Sequence, residues 1–407
     1  MSEAFKFIHA SDFHLDDQME GLPELPSHLK SVIANAPYVA AKRVFDLAIT
    51  ESVDFVLLSG DLIDMDQGGC RPTAFLLSQF ERLAEKNIAI YWCGGEVDHP
   101  DRWPVAIDLP KNVKTFSSSV VVETVHERRG KPLATIIASG FDVRRRNTSE
   151  FLVDQSAPYP IVFTHGQLDP VALAAKNIRY WALGGNHKSS VTEKAPAIVG
   201  YPGSPQSRRP GEIGSHGCHV VRVDGTGATR TQFVEVDSVR WLPQKLSIAE
   251  SASLDELKNV ITERALKLVT DHSEQTLLVT WHLSTSGTFN PKLRQERQRE
   301  EIIKWLRDEF GRSEQGLWTV NFSIDSPTAL PDGWYEEDTI LGDYLRALGR
   351  YQSDESLGLT LHEYLPKSVD NEAATEIVRL SPEQRAAILS DAALMGVEYL
   401  AAHRDVA

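Results

Sequence analysis

Phe5-Lys6-Phe7-Ile8-His9-Ala10-Ser11-Asp12-Phe13-His14-Leu15 opens the chain with a short, mainly apolar run that ends on a carboxylate and an imidazole. Short apolar runs of this kind have strand character. The same pattern returns downstream. Phe55 to Ser59 leads into Gly60-Asp61, Ile88 to Cys93 into Gly94-Gly95-Glu96, Ile161 to Thr164 into His165, and Tyr180 to Leu183 into Gly184-Gly185-Asn186-His187. Thr135 to Ser139 is a further run, and Val39 to Ala48, Ala74 to Leu83 and Pro170 to Ala175 carry apolar residues at helical spacing. Strands alternating with helices predict an α/β layered domain over residues 1–240. Ligands bind at the carboxyl ends of strands in open α/β sheets, so Asp12, His14, Asp61, Glu96, His165 and His187 are expected to converge. Hard oxygen and imidazole groups at one edge point to a divalent metal.

The rest of the chain reads differently. Cys218 to Val223 and Thr231 to Val236, joined by Asp224 to Ala228 with its glycines, form a hairpin pattern. After a break at Trp241-Leu242-Pro243, a small α+β capping domain is expected over residues 246–335. Its elements are a helix over Leu254 to Val269, a strand over Thr276 to Leu283, a helix over Pro291 to Phe310 and a strand over Trp318 to Ser323, then a loop over Asp325 to Trp334. Residues 336–407 read as a polar helical region.

Composition narrows the function. The net charge of -15 argues against a chain that coats itself with nucleic acid, because such affinity comes from Lys and Arg on phosphates. A local basic site stays open. Basic residues cluster at Arg144 to Arg146, at Arg208-Arg209 and along Lys292 to Arg299, each readable as solvated surface, with Arg208 also a candidate substrate contact. Cys70, Cys93 and Cys218 lack metal-binding spacing and read as reduced thiols. With no secretion signal and no apolar run of membrane length, a cytoplasmic protein without a membrane partner is expected.

His9 to Leu15, Leu58-Ser59-Gly60-Asp61-Leu62, Phe163-Thr164-His165-Gly166 and Tyr180 to His187, in that order, resemble the calcineurin-like metallophosphoesterases. Within that family they are similar to repair exonucleases of the SbcD type and to the YhaO-like proteins. Tyr201 to Gln206 and Glu212 to Val220 look like its closing strand-turn segment, so the resemblance covers roughly residues 5–236. It implies two divalent ions about 3.5–4 Å apart, with manganese expected and iron or zinc compatible. Asp61 would bridge them, Asp12, His14 and His187 would complete the first site, and His165 would serve the second. The expected activity is phosphodiester hydrolysis in DNA double-strand-break repair, on DNA ends, beside an SbcC-like ATPase and as a homodimer. A small-molecule phosphoesterase and a catalytically degenerate DNA-binding subunit are the alternatives.

Departures from the family text matter. Gly95-Glu96-Val97-Asp98-His99-Pro100 stands where the family has Gly-Asn-His-Asp, and Gly185 stands where the last motif has its first histidine. Glu96 is expected to fill the asparagine position of the second site, unless it is a solvated loop residue. Val97 can neither donate a proton nor stabilise charge, which makes His99 either a replacement catalytic imidazole or a plain loop histidine. Restoring the motif with Val97→His and Gly185→His is expected to raise the rate. His9 reads as a buried structural residue, and Phe13 as core packing or as a platform for a base.

Overall fold

Alternate residues of the early apolar runs serve different cores, because each run is a strand buried on both faces. The computed structural model describes residues 3–22, 25–116, 120–141, 151–154, 156–174, 178–194, 197–249, 253–286, 296–313, 315–324, 330, 332–354, 357–359 and 380–401. Along the chain come β1 (Phe5–Ala10), α1 (Ser27–Thr50), β2 (Phe55–Ser59), α2 (Cys70–Glu85), β3 (Ala89–Cys93) and β4 (Val113–Phe116). Next are β5 (Val122–Arg128), β6 (Lys131–Ser139), β7 (Pro160–His165), α3 (Pro170–Ala174), β8 (Tyr180–Gly184), β9 (Ser190–Lys194) and β10 (Ala197–Tyr201). The hairpin β11 (Gly217–Val223) and β12 (Thr229–Glu235) follows.

These strands make two six-stranded sheets, in the orders β12-β11-β1-β2-β3-β4 and β5-β6-β7-β8-β10-β9. Strands β1 to β4 are parallel neighbours in the first, and β6, β7, β8 and β10 in the second, with antiparallel strands outside them. Phe5, Phe7, Phe55, Leu57 and Tyr91 point into a layer shared with Ile136, Ala138, Ile161, Phe163 and Tyr180 of the second sheet. Their sequence neighbours Ile8, Ala10, Val56, Leu58, Ile90 and Trp92 face the other way, against Ala41, Val44 and Phe45 of α1 and Leu76 and Phe80 of α2. Ile137, Val162, Trp181 and Leu183 cover the far face of the second sheet with Leu173 of α3. The domain is thus a mixed α/β layered fold, as expected, with additional C-terminal elements.

Two readings are corrected. Helix α1 begins at Ser27 and runs through Pro37, where the apolar pattern alone suggested a start at Val39. Pro37 forgoes a helical hydrogen bond, but Leu29, Ile33, Ala36 and Ala40 bury the same face. The break at Trp241 to Pro243 is instead the middle of β13 (Val239–Ala249). β13 is an edge strand of a three-stranded sheet, order β13-β14-β15, with β14 spanning Thr276–Ser286 and β15 Leu317–Ile324, and an edge tolerates a residue without an N–H.

Contacts divide the chain into two units, one comprising Met1–Leu242, Val269–Val279 and Arg312–Val320, the other Pro243–Leu268, Thr280–Gly311 and Asn321–Ala407. Helix α4 (Leu254–Asp271) starts with a reciprocal cap, in which Glu256 N–H donates to Ser253 Oγ (3.2 Å) and Ser253 N–H to Glu256 Oε2 (2.7 Å). In the second unit, the helices Ile340–Ser353 and Pro382–Ala401 pack through Leu341, Leu345, Leu394 and Val397. Arg144 to Arg146, and residues 291–295 of the expected helix from Pro291, lie outside the described residues; that helix is described from Glu296 to Phe310. Most of the Asp325 to Trp334 loop also lies outside them, and a short helix begins at Asp332. Among the described residues no helix is long and apolar enough to cross a membrane.

Candidate metal centre

The turns that leave β1 and β2 carry their polar residues in a backbone region that L-amino acids seldom enter. Asp12, His14 and Asp61 have φ of 56°, 41° and 56°. Such strain persists only where neighbouring structure enforces it, and it gathers at functional sites. Here the two turns enforce each other. Asp12 N–H donates to Gly60 O (2.9 Å), His14 N–H to Asp61 O (3.0 Å) and Leu15 N–H to Leu62 O (3.0 Å). The second sheet closes in at the same place. A Cβ on Gly184 would lie 1.8 Å from Ser59 O, so only glycine lets the end of β8 pass the end of β2.

Convergence follows. Asp12, His14 and His187 present ligand atoms within 4.8 Å of one another, and so do Asp12, Asp61 and His165. Asp12 belongs to both groups. Asp61 Oδ2 also lies between them, 3.7 Å from His14 Nε2 and 3.4 Å from His165 Nε2. His165 donates from Nδ1 to Ser59 O (2.7 Å), which leaves Nε2 as the atom that can accept a ligand bond.

The electrostatics fit a cation. Burial raises Asp12 above the ordinary carboxylate range. Burial also opposes the charge on Asp61, but the hydrogen bond and charge of His165, with His14, hold it down at about 2. His165 is the counterpart: burial works against its proton, yet Asp61 raises it to about 9. Burial, then the Arg208 charge, push His14 down to about 3, so its imidazole is neutral and suited to ligation. His14 Nε2 is buried without any hydrogen-bond partner. An orphaned lone pair facing two buried carboxylates fits a divalent ion held by Asp12, His14, Asp61, His165 and His187.

Other expected site residues fall elsewhere. Glu96 is exposed and, with His99, belongs to neither ligand group among the described residues. The reason lies next door in Asp98. Its buried carboxylate accepts N–H groups from Asp61 (2.8 Å), Leu62 (2.9 Å), Gly95 (2.5 Å) and Trp92 Nε1 (2.9 Å), and this pins the loop with Glu96 outward. Val97 contributes through its main chain, donating to Asp61 Oδ1 at 3.1 Å. Phe13 is 3% exposed and packs edge-on against Phe45, so it is core and not a platform for a base. Gly185 is not an open histidine position: its φ is 88°, and a Cβ there would lie 3.0 Å from His165 Nε2. His9 is fully buried between Ser59 Oγ (2.7 Å) and Tyr180 OH (3.1 Å).

Glu212 had no signal in the sequence beyond its place in the closing segment. Its Oε1 accepts Nδ1–H of His187 at 2.9 Å, which fixes the ring and leaves Nε2 toward Asp12 Oδ1, 4.0 Å away. Partners of this kind typically contribute about 10–100-fold to metal affinity. Glu212→Gln is therefore expected to weaken Mn²⁺ binding by about that factor, measured by titration of the full chain, and unchanged binding would show that His187 needs no such support.

Comparison with known proteins agrees with the geometry. The model of the calcineurin-like phosphoesterase family matches residues 5–189. Metallophosphoesterase YhaO of Bacillus subtilis (strain 168) is 28% identical over 396 residues, 93% of this chain and 95% of that protein. The DNA double-strand break repair protein Mre11 of Saccharolobus solfataricus is 23% identical over 224 residues, 51% of this chain and 56% of that protein. Among solved structures, a dimetal phosphatase from Danio rerio aligns with a TM-score of 0.36 and 10% identity, over 54% of this chain and 93% of that one. Residues 5–189 are thus similar to the calcineurin-like phosphoesterase family.

Proposed function

We propose that the protein is a Mn²⁺-dependent phosphodiesterase acting on DNA ends. The observation that carries this reading is the pair of ligand groups sharing Asp12 at the meeting edge of the two sheets. Divalent ions there supply charge that polarises phosphoryl oxygens and lowers the pKa of an attacking water. The chain's own residues hold that arrangement: Gly185 N–H donates to both oxygens of Asp12 at 3.1 Å, Val97 N–H holds Asp61, and Ser59 O and Glu212 orient the two histidines. A diester is favoured because a cavity of about 610 Å³ adjoins His187 and Glu212 and is lined by Pro202, Ile213 and Phe233, enough room for a nucleoside beside the phosphate. The DNA reading also draws on the similarity to Mre11, whose name places that protein in double-strand-break repair.

Val97 leaves no side-chain acid beside Asp61, a contribution worth about 10²–10⁴-fold where present, so slow turnover is expected. The test is initial rates with saturating Mn²⁺ on linear double-stranded DNA and on bis(p-nitrophenyl) phosphate, with Asp12→Asn, which lies in both ligand groups, as background. Cleavage of DNA above that background supports the proposal. Cleavage of the small diester alone points to a small-molecule phosphoesterase, and neither to a binding subunit.

A further inference from the structure

Arg208 sits where a surface arginine would not. Its side chain is 5% exposed, and Nη1 is buried with no hydrogen-bond partner. The nearest acid to that nitrogen is Asp17, whose Oδ2 is 3.9 Å away and half exposed. A buried guanidinium nitrogen without an acceptor is costly, and native structures keep such groups where a ligand completes them.

The surroundings hold this group in place. Arg208 N–H donates to Glu212 Oε2 at 2.7 Å, and Arg208 O accepts from Glu20 N–H at 2.8 Å, so the main chain is fixed on both sides. Nη2 lies 3.0 and 3.2 Å from the ring nitrogens of His187. With Nδ1–H of that ring committed to Glu212, Nε2 is the nitrogen that faces the ligand group, and the guanidinium lies against the ring without replacing it there. Arg208 is thus attached, through Glu212 and His187, to the ligand group that includes Asp12 and His14. A cation fixed beside a divalent centre has one chemical use that both charges share, which is to hold an anion with several oxygens. The planar fork of arginine matches phosphate.

We propose that Arg208 is the phosphate clamp of this site, its guanidinium receiving non-bridging oxygens of the substrate phosphate. This rests on the phosphodiesterase reading above, and it makes Glu212 a positioning residue for both the clamp and His187. The basic pair at positions 208 and 209 divides its labour: Arg209 is exposed and pairs at 3.3 Å with the exposed Glu20, whereas Arg208 turns inward.

The experiment is calorimetric titration of inorganic phosphate into the full-length protein at saturating Mn²⁺, for the native chain, Arg208→Gln and Arg208→Lys, with folding checked by circular dichroism. Arg208→Gln is expected to weaken phosphate binding about 10- to 100-fold, as loss of a charge-assisted bidentate contact does. Arg208→Lys retains charge without the fork and is expected to lose about 3- to 10-fold. If the glutamine variant does not fold, the lysine variant carries the test alone. Phosphate affinity within about two-fold of the native value in a folded variant overturns the clamp, as does a native chain that takes up Mn²⁺ but no phosphate. The titration needs no turnover, so failure of the phosphodiesterase reading shows separately, as absent cleavage by the native chain.

Discussion

Asp12→Asn is expected to bind neither metal and to cleave at least about 10³-fold more slowly than the native chain, because losing several kcal/mol of charge stabilisation costs that much in rate. Asp12 is the residue common to both ligand groups and is fully buried. One oxygen accepts from Ser11 Oγ at 2.5 Å, and both accept from Gly185 N–H. An asparagine there removes the charge and turns an amide N–H toward a main-chain N–H, so it loses the ligand and its support together. Asp61→Asn should be less complete, since Asp12, His14 and His187 remain as a group. Metal stoichiometry by mass spectrometry, paired with initial rates, separates the two. An Asp12→Asn protein that still carries two ions per chain would remove Asp12 from the centre.

The second large effect concerns stability. Asp98→Ala is expected to lower unfolding free energy by roughly 3–5 kcal/mol, because it strips a buried carboxylate from four donors. Those donors are Asp61 and Leu62 after β2 and Gly95 after β3, with Trp92 beneath. The loss should also loosen the left-handed backbone of Asp61, whose φ of 56° the network helps to hold. Urea unfolding with and without Mn²⁺ measures both parts: a lower midpoint in each case, and a smaller gain from metal than in the native chain. A midpoint equal to native would mean that the loop is held by something other than Asp98.

Much of this was legible in the sequence because the metal-site residues follow the strands directly. An apolar run ending on Asp, Asp, His or His announces a strand end, and the fold brings strand ends together; Asp12, His14, Asp61, His165 and His187 are found that way. What escaped depends on contacts between loops. Glu212 lies in an irregular segment between β10 and β11, where no periodicity says which side chain turns inward. Asp98 stands in a motif, but two of its four donors, Asp61 and Leu62, come from a distant turn. Glu96 was given a role from its alignment with an asparagine, and the pinned loop faces it to solvent. Pro243 misled, because an edge position relieves the missing N–H, and the apolar pattern missed the first turns of α1.

The touch between Ser59 and Gly184 has a consequence for which ion this chain accepts. Asp12, His14 and Asp61 hang from one sheet, while His165 and His187 hang from the other. The span from one set to the other is a thickness, and its spacer is the aromatic layer of Phe7, Phe55, Phe163 and Tyr180. Close-packed interiors yield little, so that spacer behaves as a gauge block. A methylene gained or lost in the middle of the sandwich is therefore expected to shift the metal preference of an otherwise unaltered set of ligands.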